Sequence, residues 1–274
     1  MNEPLRWLGR CLARYFSKEV RAPACLPNDV SHLRRVMLPC DVLLVEGNTR
    51  FSTAIKYLTQ STWSHSAFYL GPEHGVRENG RLLDLVEADV IDGVRIIPLE
   101  DYQRFHTRIV RPVGLTGEDA ARVVHYLLGR VGDQYDLKNV FDLARYLLPV
   151  PPVPERWRRR MLALGSGDPT RAICSTLIAQ AFQQVRYPIL PLVSSSSSAL
   201  PEPPSGGSPG LPGDEAGREL RHIRHHSLFA PRDFDVSPYF EIVKPTLAAG
   251  FDYRAFRWAE EEGEAELFYG SRLE

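Results

Sequence analysis

Arg171-Ala-Ile-Cys-Ser-Thr-Leu-Ile-Ala-Gln-Ala-Phe182 sets a cysteine in the first turn of an apolar-periodic segment. Ile173, Leu177, Ile178, Ala181, Phe182 and Val185 recur at helical spacing, and Gly165-Ser-Gly-Asp-Pro169 reads as the loop that leads into the helix. Cys174 therefore meets the unpaired backbone N–H groups and the positive end of the helix dipole, which stabilise a thiolate. A single cysteine between isoleucine and leucine is also a common filler of apolar cores. Its reading depends on whether the rest of the chain supplies partners.

A reactive thiol needs a general base and a group that orients the base, and both can come from distant sequence. Upstream, Pro39-Cys-Asp-Val-Leu-Leu-Val-Glu-Gly47 reads as a first buried strand, and Phe51 to Gln60 as a short helix. Ser61-Thr-Trp-Ser64 then connects to a strand at His65-Ser-Ala-Phe-Tyr-Leu70. Gly71-Pro72 starts a turn, Leu82 to Ile91 is the next strand, and Asp92-Gly93 signals a hairpin into Val94–Pro98. His65 shares a strand face with Ala67 and Tyr69, and an antiparallel neighbour would lie ~5 Å from it. Glu87 is the expected neighbour, because it interrupts the apolar face of Leu83, Leu85 and Ile91, where a carboxylate is costly unless paired. Asp89, on the same face, is the fallback. A satisfied core histidine and a solvated strand-end carboxylate are the plainer accounts of His65 and Glu87 taken singly.

Further along, Arg108 to Arg111 reads as a strand, and Thr116-Gly-Glu-Asp119 has the spacing of a helix capping box. Ala120, Val123, Val124, Leu127 and Leu128 line the face of the helix that follows. Gly132-Asp-Gln-Tyr-Asp136 leads to a second apolar-periodic helix, Val140 to Leu148, closed by an extended Pro149–Pro154 run. The basic run Arg156-Trp-Arg-Arg-Arg160 reads as a solvated face or an anion contact. From Pro188 to Gly217 the chain is rich in Ser, Pro and Gly, which predicts disorder. Structure resumes near Ser227, with a last strand at Tyr239 to Val243. His222, His225 and His226 imitate a ligand cluster, but without a cysteine or carboxylate beside them they do not predict a metal site. At the N-terminus, residues 4 to 19 form an amphipathic pattern with Arg10, Arg14 and Lys18 on its polar side. That pattern suits docking on the domain or a partner, or peripheral membrane contact.

The chain has 274 residues, with Lys+Arg 33 against Asp+Glu 34, so no global field recruits nucleic acid. Four cysteines, widely spread and without a C-x-x-C pair, fit a reducing compartment better than a disulfide scaffold. No apolar run reaches the ~18 residues of a membrane span, and no signal-peptide pattern opens the chain. The expected location is the cytoplasm.

Taken in order, Trp63-Ser-His65, Leu85-Val-Glu-Ala88, Gly132-Asp-Gln-Tyr-Asp136 and Ile173-Cys-Ser-Thr-Leu177 resemble a known family. The order is similar to that of the circularly permuted NlpC-type papain-like cysteine hydrolases, in particular the YiiX/YebB-like group. These are related to the lecithin retinol acyltransferase-like proteins. In the permuted family, histidine and its polar partner precede the nucleophile. The resemblance implies an α+β fold, with an antiparallel β-sheet or partial barrel packed against helices. It implies Cys174 as nucleophile, His65 as base and Glu87 as the orienting group, with Tyr135 supporting the site. The implied organisation is an N-terminal segment at 1–37, a core at 38–187, a disordered insertion at 188–217 and a core-completing part at 218–274. The implied activity is acyl transfer from an amide or ester, lipid or peptide, through a thioester and without a cofactor. A catalytically idle binding module with the same groove, docking a lipid surface or a protein, is the alternative. Nothing in the sequence specifies an oligomeric state.

Overall fold

The computed structural model describes residues 15, 18–19, 30–134, 173–195, 219–245, 252 and 254. Its central strand, β1 (Val42–Glu46), explains the uninterrupted apolar run Val42-Leu-Leu-Val45. β1 is paired antiparallel on both edges, with β2 (His65–Tyr69) and β6 (His106–Pro112). Both of its faces are covered as well, so every side chain from Val42 to Val45 is buried. A strand enclosed on two faces reads as continuous apolar sequence rather than as an alternation.

The sheet runs in the order β3, β4, β2, β1, β6, β9, with every pair antiparallel. Its outer members are β3 (Val76–Glu78), β4 (Arg81–Asp89) and β9 (Phe240–Val243). β5 (Gly93–Pro98) pairs with the free edge of β4. One face carries Val42, Leu44, Phe68, Val86 and Val110. They pack against helices α3 (Gly117–Leu128) and α4 (Ile173–Gln184) and against Phe229 and Phe234. The opposite face carries Leu43, Val45, Ala67, Tyr69, Leu85 and Ile109. These are covered by α1 (Val30–Val36), Met37 and the short 3-10 helix Leu99–Tyr102. The architecture is therefore α+β, an antiparallel sheet between two unequal helical layers.

The local signals are met where side-chain chemistry stands behind them. Thr116 caps α3, its hydroxyl accepting from Asp119 N–H at 3.2 Å. Thr49 caps α2 (Arg50–Thr59), accepting from Ser52 N–H at 3.1 Å. The β4–β5 hairpin forms, but not as a two-residue Asp92-Gly93 turn. Gly93 pairs with Asp89, so the loop is Val90-Ile91-Asp92, and Gly93 takes the positive φ of 79° that closes such a loop.

Two expectations change. The Ser/Pro/Gly-rich stretch is not irregular from residue 188, because β7 (Leu192–Ser195) pairs antiparallel with β8 (Glu219–His222). Backbone pairing between the two flanks overrides composition at its first residues and places His222 in a strand. The N-terminal pattern was read as helical to residue 19, yet Glu19 forms an antiparallel bridge with Thr49. Arg50 lies over the Tyr15 ring at 4.1 Å, so the described part of this segment rests on the start of α2. The rest of the 4–19 helix, the Val140–Leu148 helix, the Pro149–Pro154 run, the 156–160 basic run and residues 196–218 lie outside the described residues. Among the described residues no helix is long and apolar enough to cross a membrane.

Candidate active site

Cys174 is the second residue of α4 and is 4% exposed. The next residue anchors the helix start, Ser175 donating its hydroxyl to the Phe229 carbonyl at 2.7 Å. Burial alone would push the Cys174 thiol up. The His65 charge and imidazole, with a smaller contribution from neighbouring Ser66, bring it below the ordinary thiol value instead. Cys40 is the contrast within the same molecule. It is also buried, and burial with the neighbouring Asp41 charge pushes its thiol up to about 12. Its Sγ donates weakly to the Ala120 carbonyl at 3.7 Å. The two buried sulfurs are thus shifted in opposite directions by their surroundings.

His65 opens β2, and the connector before it is pinned. Ser64 N–H donates to the Val45 carbonyl at 3.1 Å, and the Ser64 hydroxyl accepts from Gly47 N–H at 2.9 Å. Trp63 donates its indole N–H to Asp235 at 3.0 Å and lies under the Arg108 guanidinium. His65 Nε2 lies 2.7 Å from Glu87 Oε2, which leaves Nδ1 for the thiol. Desolvation would lower the imidazole, but the Cys174 and Glu87 negative charges raise it well above its usual value. A quarter of its side chain remains exposed.

Glu87 is 4% exposed and is satisfied on both oxygens. Oε2 takes His65 and the Tyr102 hydroxyl, while Arg95 Nε and Nη2 converge on Oε1 at 2.9 and 2.8 Å. Burial would raise this carboxyl. The His65 hydrogen bond and charge, the Tyr102 hydroxyl and Arg95 bring it down to about 2. Its position differs from the directly opposed neighbour expected. Phe68 pairs with Val86 and Tyr69 with Leu85, so continuing that register puts Ala67 opposite Glu87 and His65 opposite Asp89. His65 reaches diagonally to Glu87. Asp89 is drawn into the hairpin loop, where its Oδ1 accepts from Ile91 N–H at 2.7 Å and Asp92 N–H at 2.9 Å.

Three contributors were not identified from sequence. Arg95 lies directly across from Glu87. The three-residue loop ending at Gly93 would have found it, whereas a two-residue turn puts a different residue there. Tyr102 arrives on a 3-10 turn that no periodicity announces, and Ser66 is an unremarkable strand serine. Tyr135 lies outside the described residues. The chain just before it docks on the hairpin: Val94 N–H donates to the Asp133 carbonyl at 3.0 Å, and Gly132 N–H to the Val94 carbonyl at 2.8 Å. Of the three histidines near residue 225, His225 caps a short 3-10 turn through Ser227. Among the described residues no three His, Cys, Asp or Glu side chains gather as metal ligands.

No protein-family model and no curated protein matches this chain. Among solved structures, the metalloprotein yiiX from Escherichia coli O157:H7 is similar, at 15% identity and a TM-score of 0.41. The match covers 75% of this chain and 96% of that one. A likeness this distant transfers no property from that protein.

Proposed function

We propose that this chain is a cysteine hydrolase or acyltransferase of the permuted papain-like kind, with Cys174 as nucleophile, His65 as general base and acid, and Glu87 as the orienting carboxylate. The observation that carries the reading is His65 set between two buried groups, its Nε2 2.7 Å from Glu87 Oε2 and its ring acting on the Cys174 thiol at the start of α4. In this reading the thiolate attacks an amide or ester carbonyl. Backbone N–H groups in the first turn of α4 stabilise the oxyanion. The His65 imidazolium gives its proton to the leaving amine or alcohol, and a thioester forms on Cys174. Water, or another acceptor, then gives its proton to neutral His65 as it attacks the thioester, and the C–S electron pair returns to the sulfur. Tyr102 and Arg95 keep Glu87 ionised and aimed at Nε2, so the ring presents Nδ1 to the sulfur.

The basic amphipathic 4–19 segment favours a lipid acyl donor, with an intracellular amide as the other class. Incubation with a panel of lipid esters and peptide amides, followed by intact-mass and peptide analysis, tests the reading. An acyl adduct on Cys174, abolished in Cys174→Ser, is the expected result. A panel that yields neither adduct nor turnover would leave the idle binding module as the better account. Vesicle flotation with and without residues 1–20 checks the lipid arm, and equal binding by both would remove it.

A further inference from the structure

We infer that Arg34 is a positioning residue, whose guanidinium holds the 3-10 turn Leu99–Tyr102 on β4 so that the Tyr102 hydroxyl meets Glu87. Its part in the reaction rests on the cysteine hydrolase reading, and it lies on α1, an element that reading does not use.

The turn cannot place itself. It is four residues long, Pro98 gives its start no side-chain cap, and Gln103 N–H donates to the Glu100 carbonyl at 3.2 Å. A 3-10 segment this short takes its position from outside partners. β4 supplies one at each end. Leu99 N–H donates to Asp84 Oδ1 at 3.0 Å, and the Tyr102 hydroxyl donates to Glu87 Oε2. Asp84 is available because β4 bulges there. Leu83 pairs with Pro98 and Leu85 with Ile97, so two successive β5 residues face three of β4, and Asp84 is the extra one.

Asp84 cannot hold the turn unaided. It is 0% exposed, and a buried carboxylate is costly unless it is paired. Among the described residues the cation paired with it is Arg34, whose Nε lies 3.1 Å from Oδ2. The same guanidinium turns Nη1 and Nη2 to Glu100 Oε1 and Oε2 at 2.9 and 3.3 Å. Glu100 is the second residue of the turn. One planar fork therefore ties the bulge of β4 to the body of the turn, a geometry that a lysine point charge does not reproduce. Leu33, one residue earlier on α1, is buried in the same apolar layer as Leu99 and Tyr102, which fixes the helix from which Arg34 reaches out. Arg81 and Asp101 form a second ion pair to the turn at 2.6 Å, but both side chains are half-exposed and solvent screens them.

Carbon NMR titration of the Glu87 carboxyl in the full chain, assigned with Glu87→Gln, reads the placement of Tyr102, with circular dichroism following the fold at each pH. Tyr102→Phe and Arg34→Gln are each expected to raise the proton affinity of Glu87 roughly tenfold, and the two together no further than one. Arg34→Lys, with the charge but not the fork, is expected to move it in the same direction, and Arg81→Ala to leave it in place. Should Arg34→Gln not fold because Asp84 is left unpaired, Arg34→Met with Asp84→Leu removes both charges. That pair is expected to fold and to raise Glu87 as Tyr102→Phe does. An Arg34→Gln titration that coincides with the wild type would overturn the inference. So would a shift that adds in full to that of Tyr102→Phe, the mark of a direct charge effect. The Glu87 readout does not involve the thiol. A Cys174 that alkylates like an ordinary exposed thiol therefore removes the hydrolase reading, and the catalytic role of Arg34 with it, while the shifts above still decide what holds the turn.

Discussion

Tyr102 lends its hydroxyl to Glu87 while its ring lies 6.0 Å, centroid to centroid, from that of His65. Burial and the neighbouring carboxylate push the phenol well above its usual pKa, so it remains a neutral donor. Tyr102→Phe removes one hydrogen bond to a buried charge, a change of about 1.5–3 kcal/mol. Because Tyr102 acts through Glu87, kcat is expected to fall more than KM rises. The pH dependence has a definite sign. Glu87 is depressed to about 2 in the folded protein, so its stabilisation is fully present above the ordinary carboxylate range and lost as pH falls from there towards 2. In Tyr102→Phe the folded-state carboxyl is less depressed, so the loss should still begin in the ordinary carboxylate range but be smaller and end at a higher pH. Urea denaturation across an acid pH series checks it, and coincident curves for variant and wild type would contradict the role given to the hydroxyl.

The hairpin between β4 and β5 aligns Arg95 with Glu87, and Gly93 is its hinge. A Cβ on Gly93 would stand 2.3 Å from the Asp133 carbonyl oxygen, at a φ of 79° that side chains rarely adopt. Gly93→Ala is therefore expected to cost more than about 1 kcal/mol and to reduce activity as Arg95 loses its register. Chemical denaturation together with a turnover assay reads both effects. The same hairpin marks how far the sequence could be read. β1, β2, α3 and α4 were legible because apolar runs, caps and periodicity are local properties. Asp92-Gly93 was legible as a hairpin but not as a three-residue loop, since the choice depends on where Asp89 and Gly93 pair. β7 and β8 were hidden because serine-rich composition says nothing about a partner more than twenty residues away.

At the scale of the molecule, Phe182 joins α4 to the sheet. Its ring is fully buried and lies 6.1 Å from Phe68 and 5.4 Å from both Phe240 and Tyr187. Phe182→Ala is expected to cost about 3–5 kcal/mol and to loosen the helix that carries Cys174, so thermal stability and thiol reactivity should fall together. This connectivity also explains why the site was only partly legible. His65, Glu87 and Cys174 are each ambiguous alone, and their order drew them together only through the resemblance. Ser66, Arg95 and Tyr102 became visible when the sheet supplied the register. The central claim is that Cys174 is held as a thiolate by His65. Its most direct test is the rate of Cys174 alkylation against pH, read by peptide mass, in the wild type and in His65→Ala. The account predicts fast alkylation that persists well below the ordinary thiol range in the wild type, and a profile moved to higher pH in the variant. A wild-type rate no faster than that of an ordinary exposed thiol, and unchanged by His65→Ala, would contradict it.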